Sequence, residues 1–262
     1  MNVKAIFPWV LGAIVLIGVV LLQMTRTPES VVPDFAAIQD VGKKKQAFFS
    51  YLAPLIVAET QAILEERKDL ERIDQILAEG TRVSARDQDL LAALGIKYRV
   101  PDRDQLSTVN LAAALLFRID EVPMGLALAQ AANESAWGTS RFARFQNNFF
   151  GLWCFTDGCG VKPRRAEPGA RHQVAAFETV QGGVAYYLLT LNSHPAYKDF
   201  REVRAEMRAN LGDVDGYRLA GGLTRYSERG ADYVKTIRII MRANKLQVFD
   251  DAKLGRPVAP DA

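Results

Sequence analysis

The chain has 262 residues, 49% of them apolar, with 33 Lys and Arg against 30 Asp and Glu for a net charge of +3. That length allows one large or two small domains around a sizeable core, and so mild a charge excludes the dense basic stripe of a nucleic-acid binder. With the two cysteines expected to pair, only His172 and His194 remain, too few for an ordinary four-ligand zinc site, so neither metal nor cofactor is expected.

Residues 5–22 carry no charge, and Lys4 and Arg26 flank them. At the helical rise they span about 27 Å, enough to cross a bilayer core. The following LLQMTRTPES offers no small-x-small cleavage site, so residues 1–24 read as an uncleaved signal anchor with a short inside tail and an exported body. Residues 25–40, with Pro28 and Pro33, read as a tether.

Residues 41–121 read as a helical support region. Phe48, Phe49, Leu52, Leu55, Ile56, Ile63, Leu70, Ile73 and Leu77 recur at steps of three and four, and Pro54 predicts that two amphipathic helices meet there. Ser84 with Asp87 predicts the cap of a short helix closed by Gly95, and Asp102 or Asp104 the start of another running through Leu116.

The stretch VPMGLALAQAANESAWGTSRFARFQNNFFGLWCF, from Val122 to Phe155, organises the rest. Asp120 and Glu121 before Pro123, and Gly138 after Trp137, predict a helix of about four turns between them. Its residues are apolar on nearly every side, the pattern of a helix buried around most of its circumference. Glu134 is the acid within it. A carboxylate in an apolar wall must pair, protonate or work. Beyond Gly138, Asn148 carries an amide suited to sugar hydroxyl and N-acetyl groups, and Phe150 and Trp153 offer flat rings for pyranose faces or for a small core. Cys154 and Cys159 enclose a turn and should pair in an exported body.

The residues ALAQAANESAWGTSRFA and NNFFGLWCF resemble the endo-β-N-acetylglucosaminidase family of bacterial cell-wall hydrolases, glycoside hydrolase family seventy-three, and within it the Bax-like group of Gram-negative bacteria. The resemblance runs from about Val122 to about Leu246. It implies a mainly α, lysozyme-like body with a small β-hairpin lobe over residues 122–249, and peptidoglycan as substrate. It implies Glu134 as catalytic acid and Glu167, in the matching part of the lobe, as the second acid, with Asp157 and Glu178 as alternatives. Tyr226 is the expected catalytic tyrosine, donating to substrate or to a carboxylate, with Tyr233 the runner-up and a candidate substrate contact beside Asn148, Phe150 and Trp153. Helices are expected over 182–191, 200–210 and 213–220, and one containing Tyr233 and carrying Ile237, Ile240 and Met241, then a tail over 250–262. Glycosidases commonly use two carboxylates, and assistance by the substrate's own N-acetyl group is a recognised exception. The reading is therefore a membrane-anchored glucosaminidase facing the periplasm, with a lytic transglycosylase or a non-catalytic wall-binding scaffold as rivals.

Overall fold

The computed structural model describes residues 31–162 and 173–251, so the segment 5–22, Glu167 and the tail from 252 lie outside the described residues. Helix α1 spans Val41–Ala78 and begins where the Asp40 carboxylate accepts the Lys43 amide. Its buried row, Phe48, Leu52, Ile56, Ile63, Leu70 and Ile73, follows the helical period. The expected break at Pro54 is absent. Pro54 and Ser50, whose carbonyl loses its partner to the proline, are both exposed, so water serves where the backbone does not.

Helix α2 spans Ala85–Lys97 under a Ser84 cap and runs on past Gly95. A single 3₁₀ turn, Arg103–Gln105, occupies the place of the expected Asp102 start. Helix α3, Thr108–Arg118, begins instead at Ser107, whose hydroxyl accepts the Asn110 amide. Then come α4 (Met124–Glu134), α5 (Arg141–Gln146), β1 (Trp153–Cys154), β2 (Gly160–Val161), β3 (Gln173–Ala175) and α6 (Val180–Ser193). Helices α7 (Lys198–Leu211), α8 (Gly216–Leu219), α9 (Ala231–Ala243) and α10 (Val248–Asp251) complete the described chain. The fold is mainly helical, with one small antiparallel sheet in the order β1-β3-β2.

Every residue of α4 from Met124 to Ala132 is buried. The helix is enclosed by α1, α8, α9 and α10, which is why its sequence is apolar all round. Pro123 cannot cap it with a side chain. Asp250 of α10 does so from the far end of the chain, its Oδ1 accepting the Gly125 amide at 2.7 Å. A Cβ at Gly125 would lie 2.4 Å from the Leu246 carbonyl oxygen, so only glycine lets that closure form. Among the described residues α1 is the helix long and apolar enough to cross a membrane, yet its apolar row lies against α3, α4 and α6. The described residues from Asp34 onward form one compact unit.

A buried arginine ties the approach to α4 in place. Arg204 of α7 is 1% exposed and donates to the carbonyls of Arg118, Asp120 and Glu121 and to Asn192 Oδ1. Arg208 binds the Asp120 and Glu121 carboxylates at 2.8 and 2.6 Å. Burial lowers the Arg204 pKa to about 10, and the Asp120 charge opposes that shift. The charges persist because each desolvated group has several partners.

Candidate functional site

Glu134 is the last residue of α4 and not one turn inside it, as the glycine at 138 had suggested. The reason is the next turn. Ala136, Trp137 and Gly138 all adopt left-handed backbone, with φ of 50°, 60° and 77°. Ser135 supports that turn by donating to the Ala131 carbonyl at 2.6 Å and accepting the Gly138 amide at 2.8 Å. Two successive non-glycine residues in this region cost about 1 kcal/mol or more each. The cost is offset by packing, since Trp137 lies edge-on to Phe48 and Phe49 of α1, and Lys45 sits over its ring at 4.9 Å. Phe35 fills the other side, where a Cβ at Gly138 would come within 2.2 Å of its ring.

The turn leaves the Glu134 carboxyl half-buried. Burial is the largest influence on it and raises its pKa, while hydrogen bonds from Asn133 and Tyr233 and the positive charge of Arg229 lower it in part. Asn133 donates to Oε1 at 2.9 Å. Gly151 approaches the other oxygen so closely that a Cβ there would sit 3.1 Å from Oε2, and its φ of 63° favours glycine independently. Tyr233 is fully buried and accepts from Gln130 Nε2 at 2.9 Å, while Gln130 Oε1 accepts from the Tyr187 hydroxyl at 2.7 Å. A carboxyl in this setting holds its proton closer to neutrality than a free one and can deliver it to a bound oxygen.

The other expected site residues fall into several places. Tyr226 stacks on Tyr233 with centroids 5.5 Å apart and donates its hydroxyl to the Phe150 carbonyl at 2.8 Å. That hydroxyl is committed to holding the aromatic loop over the acid. Asn148 is corrected from a groove contact to an internal brace. It is 1% exposed, its amide donates to the Leu152 and Ala175 carbonyls, and its Oδ1 accepts the Leu152 amide. Phe150 is likewise buried and stacked on Tyr187, with centroids 3.9 Å apart, so it offers no face to a sugar. Tyr233 too lies under the acid and not on the surface.

Trp153 of β1 is 45% exposed, and its neighbour Phe155 is 74% exposed. Cys154 and Cys159 are bonded, joining β1 to the turn before β2. Asp157 and Glu178 are exposed, and neither is among the described groups that act on the Glu134 carboxyl. Glu167 lies outside the described residues.

Gln130, Asn133 and Arg229 are the residues around the acid that the sequence reading passed over. Gln130 had a visible signal, since it lies four residues before Glu134 on the same face of an otherwise apolar helix. Arg229 had none, because it reaches the acid only through tertiary packing.

A half-buried acid at the end of an enclosed helix, beside a small sheet bearing exposed aromatic rings, has the composition of a glycosidase site. The chain belongs to the glucosaminidase family. The family described as Mannosyl-glycoprotein endo-beta-N-acetylglucosaminidase matches residues 112–246. The chain is also 30% identical over 204 residues to Protein bax of Escherichia coli (strain K12), a similarity covering 78% of this chain and 71% of that protein. No solved structure matches. Family membership supports a glycosidase related to peptidoglycan.

Proposed function

We propose that this protein is a peptidoglycan hydrolase, held at the cytoplasmic membrane by residues 5–22 with its body in the periplasm, that cleaves the β-1,4 bond after N-acetylglucosamine. The observation that carries the reading is the half-buried Glu134 carboxyl, raised in pKa by burial, at the end of the family-matching central helix. Glu134 gives its proton to the glycosidic oxygen as the bond from that oxygen to the sugar's anomeric carbon breaks, and water adds to that carbon. A donor of this kind contributes about 10² to 10⁴ in rate. Glu167 is the proposed second acid, taking the water's proton. The exposed Trp153 ring is the proposed stacking surface for a sugar.

A second reading has one specific observation behind it. Asp157 and Glu178, the alternative second acids among the described residues, are both exposed, which suits a single-acid lytic transglycosylase or assistance by the substrate's N-acetyl group. Digestion of purified sacculi with the full chain, followed by mass spectrometry of the fragments, separates the readings. Reducing N-acetylglucosamine ends are expected, while anhydromuramic ends assign the chain to the rival chemistry. Glu134→Gln should lower fragment release by at least about 10² while leaving the melting transition cooperative. Full activity in that variant removes Glu134 from the reaction.

A further inference from the structure

Three buried groups form a hydrogen-bonded line that leads toward Glu134. The Tyr187 hydroxyl donates to Gln130 Oε1 at 2.7 Å, Gln130 Nε2 donates to the Tyr233 hydroxyl at 2.9 Å, and the Tyr233 hydroxyl faces the Glu134 carboxyl, whose pKa it lowers. Tyr187, Gln130 and Tyr233 are each 0% exposed, so the line is closed to bulk solvent. The line has only two self-consistent directions. A tyrosine hydroxyl has one proton, and an amide has one accepting end and one donating end. If Gln130 turned its carbonyl toward Tyr233, the Tyr233 proton would go to Gln130 and Glu134 would lose its donor. Tyr187 would then accept from Gln130, and its own proton would lose Gln130 Oε1, its acceptor among the described hydrogen bonds. A buried donor left without an acceptor is penalised by about 1–3 kcal/mol, so Tyr187 selects the first direction.

We propose that Tyr187 and Gln130 are positioning residues that lock the Tyr233 hydroxyl into donating to Glu134, so that the carboxylate left after proton delivery always finds a donor in place. The inference rests on the reading of Glu134 as the general acid, and extends it to two residues that do not touch the reacting atoms. It also explains why a polar amide stands in the most enclosed helix of the body. The Tyr187 ring serves both parts of the site, because it carries Phe150, whose carbonyl holds Tyr226. The other groups facing Glu134 are Asn133 on its own helix, Arg229 before α9, and the hydroxyls of Tyr197 and Tyr226.

The test is the titration of Glu134, read by carbon NMR of the full chain in detergent micelles with labelled glutamate and assigned by the signal missing from Glu134→Gln. Tyr233→Phe should raise the Glu134 pKa by about one unit, the size expected for losing a hydrogen bond to a charged group. Tyr187→Phe should raise it in the same direction, and the double variant should move it no further than Tyr233→Phe alone. A merely structural Tyr187 predicts an unchanged titration. An unchanged midpoint in Tyr187→Phe, or a fully additive shift in the double variant, overturns the proposal. If Tyr187→Phe loses its cooperative melting, Gln130→Met, of similar volume, takes its place with the same expected shift and the same overturning result. Because the NMR titration requires no turnover, a protein that releases no wall fragments yet shows the coupled shifts would reject the hydrolase reading while keeping the relay. The acid-side midpoint of the pH–rate profile on sacculi should move with the NMR value.

Discussion

At the residue scale, Glu134 works against the stability of its own fold. Its folded pKa is raised, chiefly by burial, above the value it has in the unfolded chain. For a group shifted upward, the stabilising contribution is fully present below the unfolded value, about pH 4, and is lost as pH rises through the folded value. As pH rises through the folded value, the protein takes on a partly desolvated charge that it would be more stable without. Glu134→Gln should melt at a higher temperature than the parent at pH 7–8, and the difference should vanish as pH falls below about 4. Calorimetry across that range checks the sign, and a variant that is less stable at neutral pH would show that the carboxylate's partners outweigh its desolvation. Asn148 belongs to the opposite category. Its amide is spent entirely on the backbone of the loop and β3, so Asn148→Ala would act on folding before it acted on any ligand.

At the element scale, what distinguishes α4 is how it ends. A helix continuing through Trp137, as the apolar run suggested, would carry the Glu134 side chain within its wall. The left-handed turn cuts the helix at Glu134 and brings the aromatic loop back until Gly151 meets the carboxyl. The turn depends on Gly138, whose positive φ and contact with Phe35 leave no room for a side chain. Gly138→Ala should cost about 2–4 kcal/mol, from left-handed strain and overpacking together, and should lower activity beyond what the stability loss explains. Chemical denaturation beside an activity assay separates the two effects, and an unchanged midpoint would show that the turn tolerates a Cβ. The disulfide-closed turn between β1 and β2 is a smaller matter. A loop that short gives about 2 kcal/mol on the chain-entropy account, enough to stiffen the strand carrying Trp153 without holding up the fold.

At the scale of the whole molecule, the first helix and the last are both part of the support for the acid. Residues expected to form a separate support region supply Phe48, which packs on the turn at Trp137, and the segment before them supplies Phe35, which packs on Gly138. At the far end Asp250 caps the start of α4. The Arg204 network joins α7 and α6 to the entry of the same helix. Arg204→Ala should destabilise the body by about 3–5 kcal/mol, because Asp120 and Glu121 lose a buried positive neighbour and several carbonyls lose their donor. The same network should make the fold acid-labile. Burial works to raise the Asp120 pKa, but the Arg208 bond and neighbouring arginines prevail and hold it below the usual range, so that contribution is present above about pH 4 and lost as pH falls. An acid unfolding midpoint that moves to higher pH in the variant would match this account. An unchanged midpoint would contradict it.

The sequence alone determined that the body is helical, that its central helix is enclosed and that Glu134 is exceptional within it, because each of these is written in local composition and spacing, while the motif residues around Glu134 carry the family resemblance. The cap at Ser84 is legible for the same reason, since its partner lies three residues on. What only the tertiary structure decided is where α4 stops, that Pro54 leaves α1 unbroken, that Asn148 and Phe150 face inward, and that Gln130 and Tyr187 reach the acid through Tyr233. These depend on residues dozens of positions apart meeting in a packed interior, and no periodicity within one helix records which distant side chain will satisfy a buried polar atom.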